Sequence, residues 1–240
     1  MPDAIIENGV FNIPLFHGTS TLFLESIQTY GLGGVNPIDV YSVCAFVQEA
    51  YEFCEHVLSG DKEWEACKFS PRWLIDQESF NDNSNFQHGD TYLTPSRPSA
   101  VGYALTNRFG SELLSMGAKL VALIRERRPE LIHQCPLVRH PAMNLISSDS
   151  KPVLVTARNV SVDMLLSEGG DTPEKAIEQL KTLWPILGDT GDVLNINFRL
   201  RHALSANSFN IEYLDPTCEK RKKRKGSSPL LALDIADWID

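Results

Sequence analysis

The chain has 240 residues, 42% hydrophobic and 22% charged, with a formal net charge of −9. That length suits one large domain or two small ones, and one domain of this size buries roughly 70% of its unfolded surface without staples. No apolar run approaches the about 20 residues that span a bilayer. The acidic start lacks the basic region of a secretory signal, and Cys44, Cys54, Cys67, Cys135 and Cys218 form no CxxC pair, which predicts reduced, mostly buried thiols in a cytoplasmic protein.

In chain order, "PLFHG" (14–18) reads as a short strand with Pro14 at its edge. The next stretch, "TSTLFLESIQTYGL", reads as a helix. Hydroxyls at 19–21 can cap it, Leu24 and Ile27 share a face, and Gly31 closes it. Residues 38–80 carry apolar side chains at helical spacings. "NDNSNFQHGD" (81–90) is a polar loop, and "TYLTP" (91–95) a short strand stopped by Pro95. Ser96 caps a helix over 96–109, against the preferences of Pro98 and Gly102. Residues 111–128 form a strongly amphipathic helix, and "KPVLVTARNVSVDML" (151–165) a β-branched strand and turn. A helix over 172–184 starts with Thr172 as cap, Pro173 in the first turn and an acidic residue beside the dipole. "DVLNINFRLRH" (192–202) and "NSFNIEYLD" (207–215) alternate as antiparallel strands do. Residues 216–228 form a basic loop, and "LLALDIADWI" (230–239) is a final strand or helix. With no regular βαβ alternation, the order predicts an α+β fold.

Six of the 22 Lys and Arg lie together from Lys220 to Lys225, and removing them takes the net charge from −9 to −15. An acidic body with one basic strip is not a general nucleic-acid binder. The strip reads as a local phosphate contact, a targeting signal or a solvated loop.

No GxGxxG, GxxxxGK[ST], HExxH or GxSxG is present, and no Cys/His spacing points to zinc, so no metal is expected. Three separated positions remain, each at a strand end: His17-Gly18-Thr19, Tyr92 and Glu212. They resemble the histidine, tyrosine and glutamate signature of the ADP-ribosyltransferases of the diphtheria-toxin and poly(ADP-ribose)-polymerase type. "HGTS" followed by "SIQTYGL" is similar to that family's opening, "HGT…SI…GL". Tyr103 lies eleven residues after Tyr92, as the polymerases' second stacking tyrosine does, and "FNIEYLD" is similar to their "NEY" segment. Where the polymerases carry a small hydroxyl eight positions after the first tyrosine, this chain has Ala100, with Ser99 adjacent.

The resemblance implies one domain over 1–240, with a split antiparallel sheet and a helical insertion at 34–88. It implies NAD as substrate and transfer of ADP-ribose to a macromolecular acceptor, protein or nucleic acid. No motif reveals a second site for a growing polymer, which favours mono transfer. In a bacterial or phage setting this suits a toxin or effector. By the same resemblance Glu212 would hydrogen-bond the ribose 2′-hydroxyl and hold the nucleophile, and Tyr92 and Tyr103 would sandwich the nicotinamide. Gly18 would let its backbone meet the carboxamide, Ser99 would substitute for the missing hydroxyl, and His17 would bond the adenosine-side ribose with Thr19 or Ser20 behind it. Glu168, beside two glycines in "LLSEGGD", is the rival carboxylate. Arg97, Arg108 and Arg158 are candidate phosphate contacts. His88 is a candidate for the pocket rim, while His56, His133, His140 and His202 read as surface or structural. If Glu212 is catalytic, the strip from Lys220 to Lys225 lies near the acceptor's approach and suits a polyanion.

Two other readings use the same residues. The RNA 2′-phosphotransferases share the opening motif and NAD-binding fold but rely on arginines. A non-catalytic NAD or ADP-ribose-binding module would keep the pocket without the chemistry.

Overall fold

The computed structural model describes residues 4–76, 89–187 and 196–217. Its strands are β1 (Ile6–Glu7), β2 (Val10–Phe11), β3 (Leu15–Ser20), β4 (Tyr92–Leu93), β5 (Pro152–Ala157), β6 (Leu165–Ser167), β7 (Phe198–Leu200) and β8 (Phe209–Tyr213). Its helices are α1 (Leu24–Tyr30), α2 (Pro37–Val40), α3 (Val43–Val57), α4 (Lys62–Cys67), α5 (Phe69–Asp76), α6 (Arg97–Thr106), α7 (Glu112–Arg127), α8 (Pro141–Ile146) and α9 (Glu174–Leu187). Helices and antiparallel sheets are mixed along the chain, as in α+β proteins. No helix among the described residues is long and apolar enough to cross a membrane.

Two three-stranded antiparallel sheets organise the molecule, ordered β3-β5-β8 and β4-β7-β6. They are joined at an isolated bridge, where the Phe16 and Thr94 backbones exchange hydrogen bonds of 2.7 and 2.9 Å. A separate hairpin, β1-β2, turns on Asn8 and Gly9, both at positive φ (51° and 75°), which the Asn-Gly pair tolerates well.

Strand β3 runs further than its sequence suggests. Gly18, Thr19 and Ser20 pair with Leu154, Val153 and Pro152, so the strand runs to Ser20 and Thr19 is a strand residue rather than a helix cap. Ser20 then caps a 3-10 turn over Thr21–Phe23, and α1 begins only at Leu24. Gly31, at φ 86°, ends it as expected. Ser96 does cap α6, and Pro98 sits in the first turn, where no intrahelical N–H is needed.

The main core fills the space between the sheets and α3, α7 and α9, with Phe11, Phe46, Trp64, Leu114, Ile124 and Phe198 fully buried. The helices over 37–76 share this core: a Cβ on Gly117 of α7 would lie 2.4 Å from the Phe46 ring of α3. Trp64 donates its indole N–H to Glu55 at 3.0 Å. A smaller cluster, with Phe16, Ala100, Val101, Ala104 and Leu154, lies where α6 covers β3 and β5. Most of the 81–90 loop, His88, Cys218, the basic strip, the final segment and residues 192–195 of the expected strand lie outside the described residues.

Candidate functional site

A cavity of about 540 Å³ opens beside the bridge between the two sheets. It falls within the roughly 300–1,000 Å³ of small-molecule sites. Its wall includes His17, Gly18 and Thr19 from β3, Tyr92 from β4, Ser99 and Tyr103 from α6, and Glu168 and Asn197 from just beyond the ends of β6 and β7.

Geometry sets the chemical state of His17. Its Nδ1 lies 2.9 Å from the backbone carbonyl of Tyr92. A carbonyl only accepts, so Nδ1 carries a proton and donates it. Desolvation holds the imidazole below its ordinary 6.5, against the pull of that carbonyl, which favours the charged form. The neutral ring that results has a bare Nε2 able to accept a ligand hydroxyl. The same bond clips the histidine strand to the tyrosine strand just past the Phe16–Thr94 bridge.

On α6, Ser99 and Tyr103 are four residues apart and therefore share a face. Ser99 lines the cavity and its hydroxyl bonds Ser96 Oγ at 2.8 Å. Tyr103 keeps 37% of its surface accessible. Its phenol is pushed well above its ordinary 10 by desolvation and then by the Glu112 charge. Ala100, eight positions after Tyr92, is buried against β3. A Cβ on Gly18 would lie 2.0 Å from the Ala100 carbonyl oxygen, so the glycine makes room for the helix. Thr19, on the same face of β3 as His17, lines the cavity at 2% exposure.

Glu212 does not join this group. It pairs with Leu154 on β5, which in turn faces Gly18, so Glu212 lies on the α6 face of the sheet. His17 aligns with Val155 and Ile211, on the opposite face. Two strand spacings, about 10 Å, add to the separation. Glu212 is absent from the cavity wall and pairs with Arg97 at 2.8 Å. The late-strand position was read correctly, but its parity was not visible without the pairing register.

Glu168 lines the cavity from the other sheet's side. Tyr92, Arg199 and Leu166 are directly opposite one another across β4, β7 and β6. Asn197 and Glu168 have the same parity, so they fall on the Tyr92 face, while Leu93, Phe198 and Leu165 point into the core. Asn197 Nδ2 donates to Glu168 Oε1 at 2.9 Å. Sequence reading missed Asn197, although Ile196 and Phe198 on either side mark it as off the core face. It also missed Glu112, Asp90 and Trp73, which line the same cavity.

No Lys or Arg is among the described residues lining the cavity. Of the arginines expected at phosphates, Arg97 is paired with Glu212, Arg108 donates to Ser150 at 3.2 Å, and Arg158 is exposed. Asp90 in the wall is neutralised by Arg199 at 2.7 Å. The amino end of α7, residues 110–113, also lines the wall; Ser111 caps it and the Glu112 carboxylate in its first turn offsets the helix dipole. Among the described residues no group of three or more His, Cys, Asp or Glu is placed to hold a metal ion.

No protein-family model, curated protein or solved structure matches this chain.

Proposed function

We propose that this protein transfers ADP-ribose from NAD to a macromolecular acceptor, with Glu168 rather than Glu212 as the working carboxylate. The single observation behind this reading is that His17, Tyr92, Tyr103 and Glu168 line one cavity beside the meeting of two antiparallel sheets. The finer fold reading, an ADP-ribosyltransferase-like split sheet, is part of the same proposal.

The chemistry suits these groups. The nicotinamide ring of NAD is a cationic pyridinium, and two tyrosine faces with nearby carboxylates favour such a ring. When the bond from ribose C1′ to the pyridinium nitrogen breaks, its electron pair stays with nitrogen and nicotinamide leaves neutral. Positive charge moves to C1′ and the ring oxygen, as in glycoside hydrolysis. Glu168 bonds the ribose hydroxyl more strongly as that charge grows, and accepts the proton of the acceptor group that attacks C1′. His17 Nε2 accepts from the other ribose. The pyrophosphate is left to solvent, since the described residues of the wall include no guanidinium or ammonium. That deficit, among the described residues, disfavours the arginine-dependent RNA 2′-phosphotransferase reading.

Incubation of the full chain with labelled NAD and a cell lysate tests the proposal, with nuclease and protease digestion in parallel to identify the acceptor. Nicotinamide release that falls by about 10²-fold or more in Glu168→Gln is the expected outcome. NAD binding without nicotinamide release from the wild-type chain would replace the transferase with a binding module.

A further inference from the structure

We infer that Asn197 is a positioning residue for Glu168, holding one carboxylate oxygen so that the other is presented to the ribose and the acceptor. This rests on the reading of Glu168 given above.

Three observations carry it. Asn197 Nδ2 lies 2.9 Å from Glu168 Oε1, a length suited to a hydrogen bond with a charged acceptor. Both residues line the cavity, so the bond is made in the wall of the site rather than elsewhere on the surface. The register of β6 on β7, continued by one step past Ser167 and Phe198, brings Glu168 and Asn197 opposite each other on the Tyr92 face.

The consequence is specific. Glu168 follows the last residue of β6 and sits in a turn closed by the Gly170 N–H on the Ser167 carbonyl at 3.0 Å and the Ser167 N–H on the Asp171 carbonyl at 2.8 Å, which fixes its backbone but leaves its side-chain torsions without restraint. An amide donor on the neighbouring strand supplies that restraint. An amide also does so without adding charge: a lysine or arginine in its place would neutralise the carboxylate that the oxocarbenium-like centre needs. With Oε1 engaged, Oε2 is the oxygen that bonds the ribose hydroxyl and takes the acceptor's proton. The side-chain order Tyr92, Asn197, Glu168 thus runs across three strands, with the asparagine between ring and carboxylate.

The test measures nicotinamide release from NAD by the full chain and five variants. Asn197→Ala lowers kcat about 10–100-fold, the equivalent of one hydrogen bond to a charged group, with KM for NAD within about threefold. Asn197→Ser, which keeps a shorter donor, lies between Ala and wild type. Asn197→Asp, nearly the same shape but unable to donate and facing a second carboxylate, falls below Ala. In a Glu168→Gln background, Asn197→Ala costs no further activity, because its effect runs through Glu168. Circular dichroism melts confirm that each variant folds, and the near-isosteric Asp variant keeps the test alive if Ala does not. Wild-type kcat in both the Ala and Asp variants, or losses that multiply with Glu168→Gln, would overturn the inference alone. Absence of nicotinamide release from the wild-type chain would instead overturn the transferase reading beneath it.

Discussion

The Glu212 carboxylate and the Arg97 guanidinium are 2.8 Å apart, tying the edge strand β8 to the first turn of α6 on the outer side of the sheet. Both side chains are well exposed, at 53% and 37%, so the pair is screened and contributes at most about 1 kcal/mol. Replacing Glu212 by Gln is therefore expected to leave nicotinamide release within about threefold of wild type and to lower stability by less than about 1 kcal/mol. Steady-state kinetics on Glu212→Gln beside Glu168→Gln decide the point. A collapse in the first with the second intact would return the catalytic role to β8.

His17 predicts a pH dependence. Its folded pKa lies below the ordinary 6.5 because burial disfavours the charged ring. The unfolded chain therefore binds the proton first as pH falls, and stability drops from about pH 6.5 downward toward the folded value. Above that window both states are neutral and the effect vanishes. Thermal melts at pH 7.5, 6.5 and 5.5 should show a loss of Tm on acidification that is smaller in His17→Gln. Identical slopes in the two proteins would contradict the assignment.

Gly18 cannot accept a side chain. A methyl there would sit 2.0 Å from the Ala100 carbonyl, and a backbone atom inside a packed helix has no rotamer to yield. Gly18→Ala should cost about 1–3 kcal/mol or more, read by urea unfolding. Adding Ala100→Gly should give no relief, since the obstacle is the carbonyl and not the Ala100 side chain. Rescue by that second change would show that the contact is misassigned.

Trp64, wholly buried, tests whether the helices over 37–76 belong to the same folding unit. Trp64→Ala should destabilise by about 3–5 kcal/mol and leave one cooperative unfolding transition, followed by fluorescence and circular dichroism together. Two separate transitions would mean that these helices fold apart from the sheets.

Much of this was legible in the residues. The helix over 96–109 follows from the Ser96 cap and the helix over 111–128 from its apolar spacing, because caps and a 3.6-residue period are local properties. The grouping of His17, Tyr92 and Tyr103 was legible as a motif. What failed was non-local. Phe209 to Tyr213 alternates as a strand should, but alternation alone does not say which face is inward. That is settled by β5, more than fifty residues earlier, through Leu154 and Val155. Likewise "LLSEGGD" reads as a loop until β7 pairs with it, since three-residue strands carry too little periodicity to announce themselves.

The β4-β7-β6 sheet encodes its buried layer and its cavity layer in the same few residues, Phe198 for one and Asn197 for the other. An indel that slides β7 by a single position would exchange those layers, driving an amide and a guanidinium inward while pushing a phenyl ring into the binding space. Sliding by two would preserve sidedness and merely trim the ladder. Lineages of this protein should therefore tolerate even-numbered slips in this region better than odd ones, and repair odd ones with a compensating bulge.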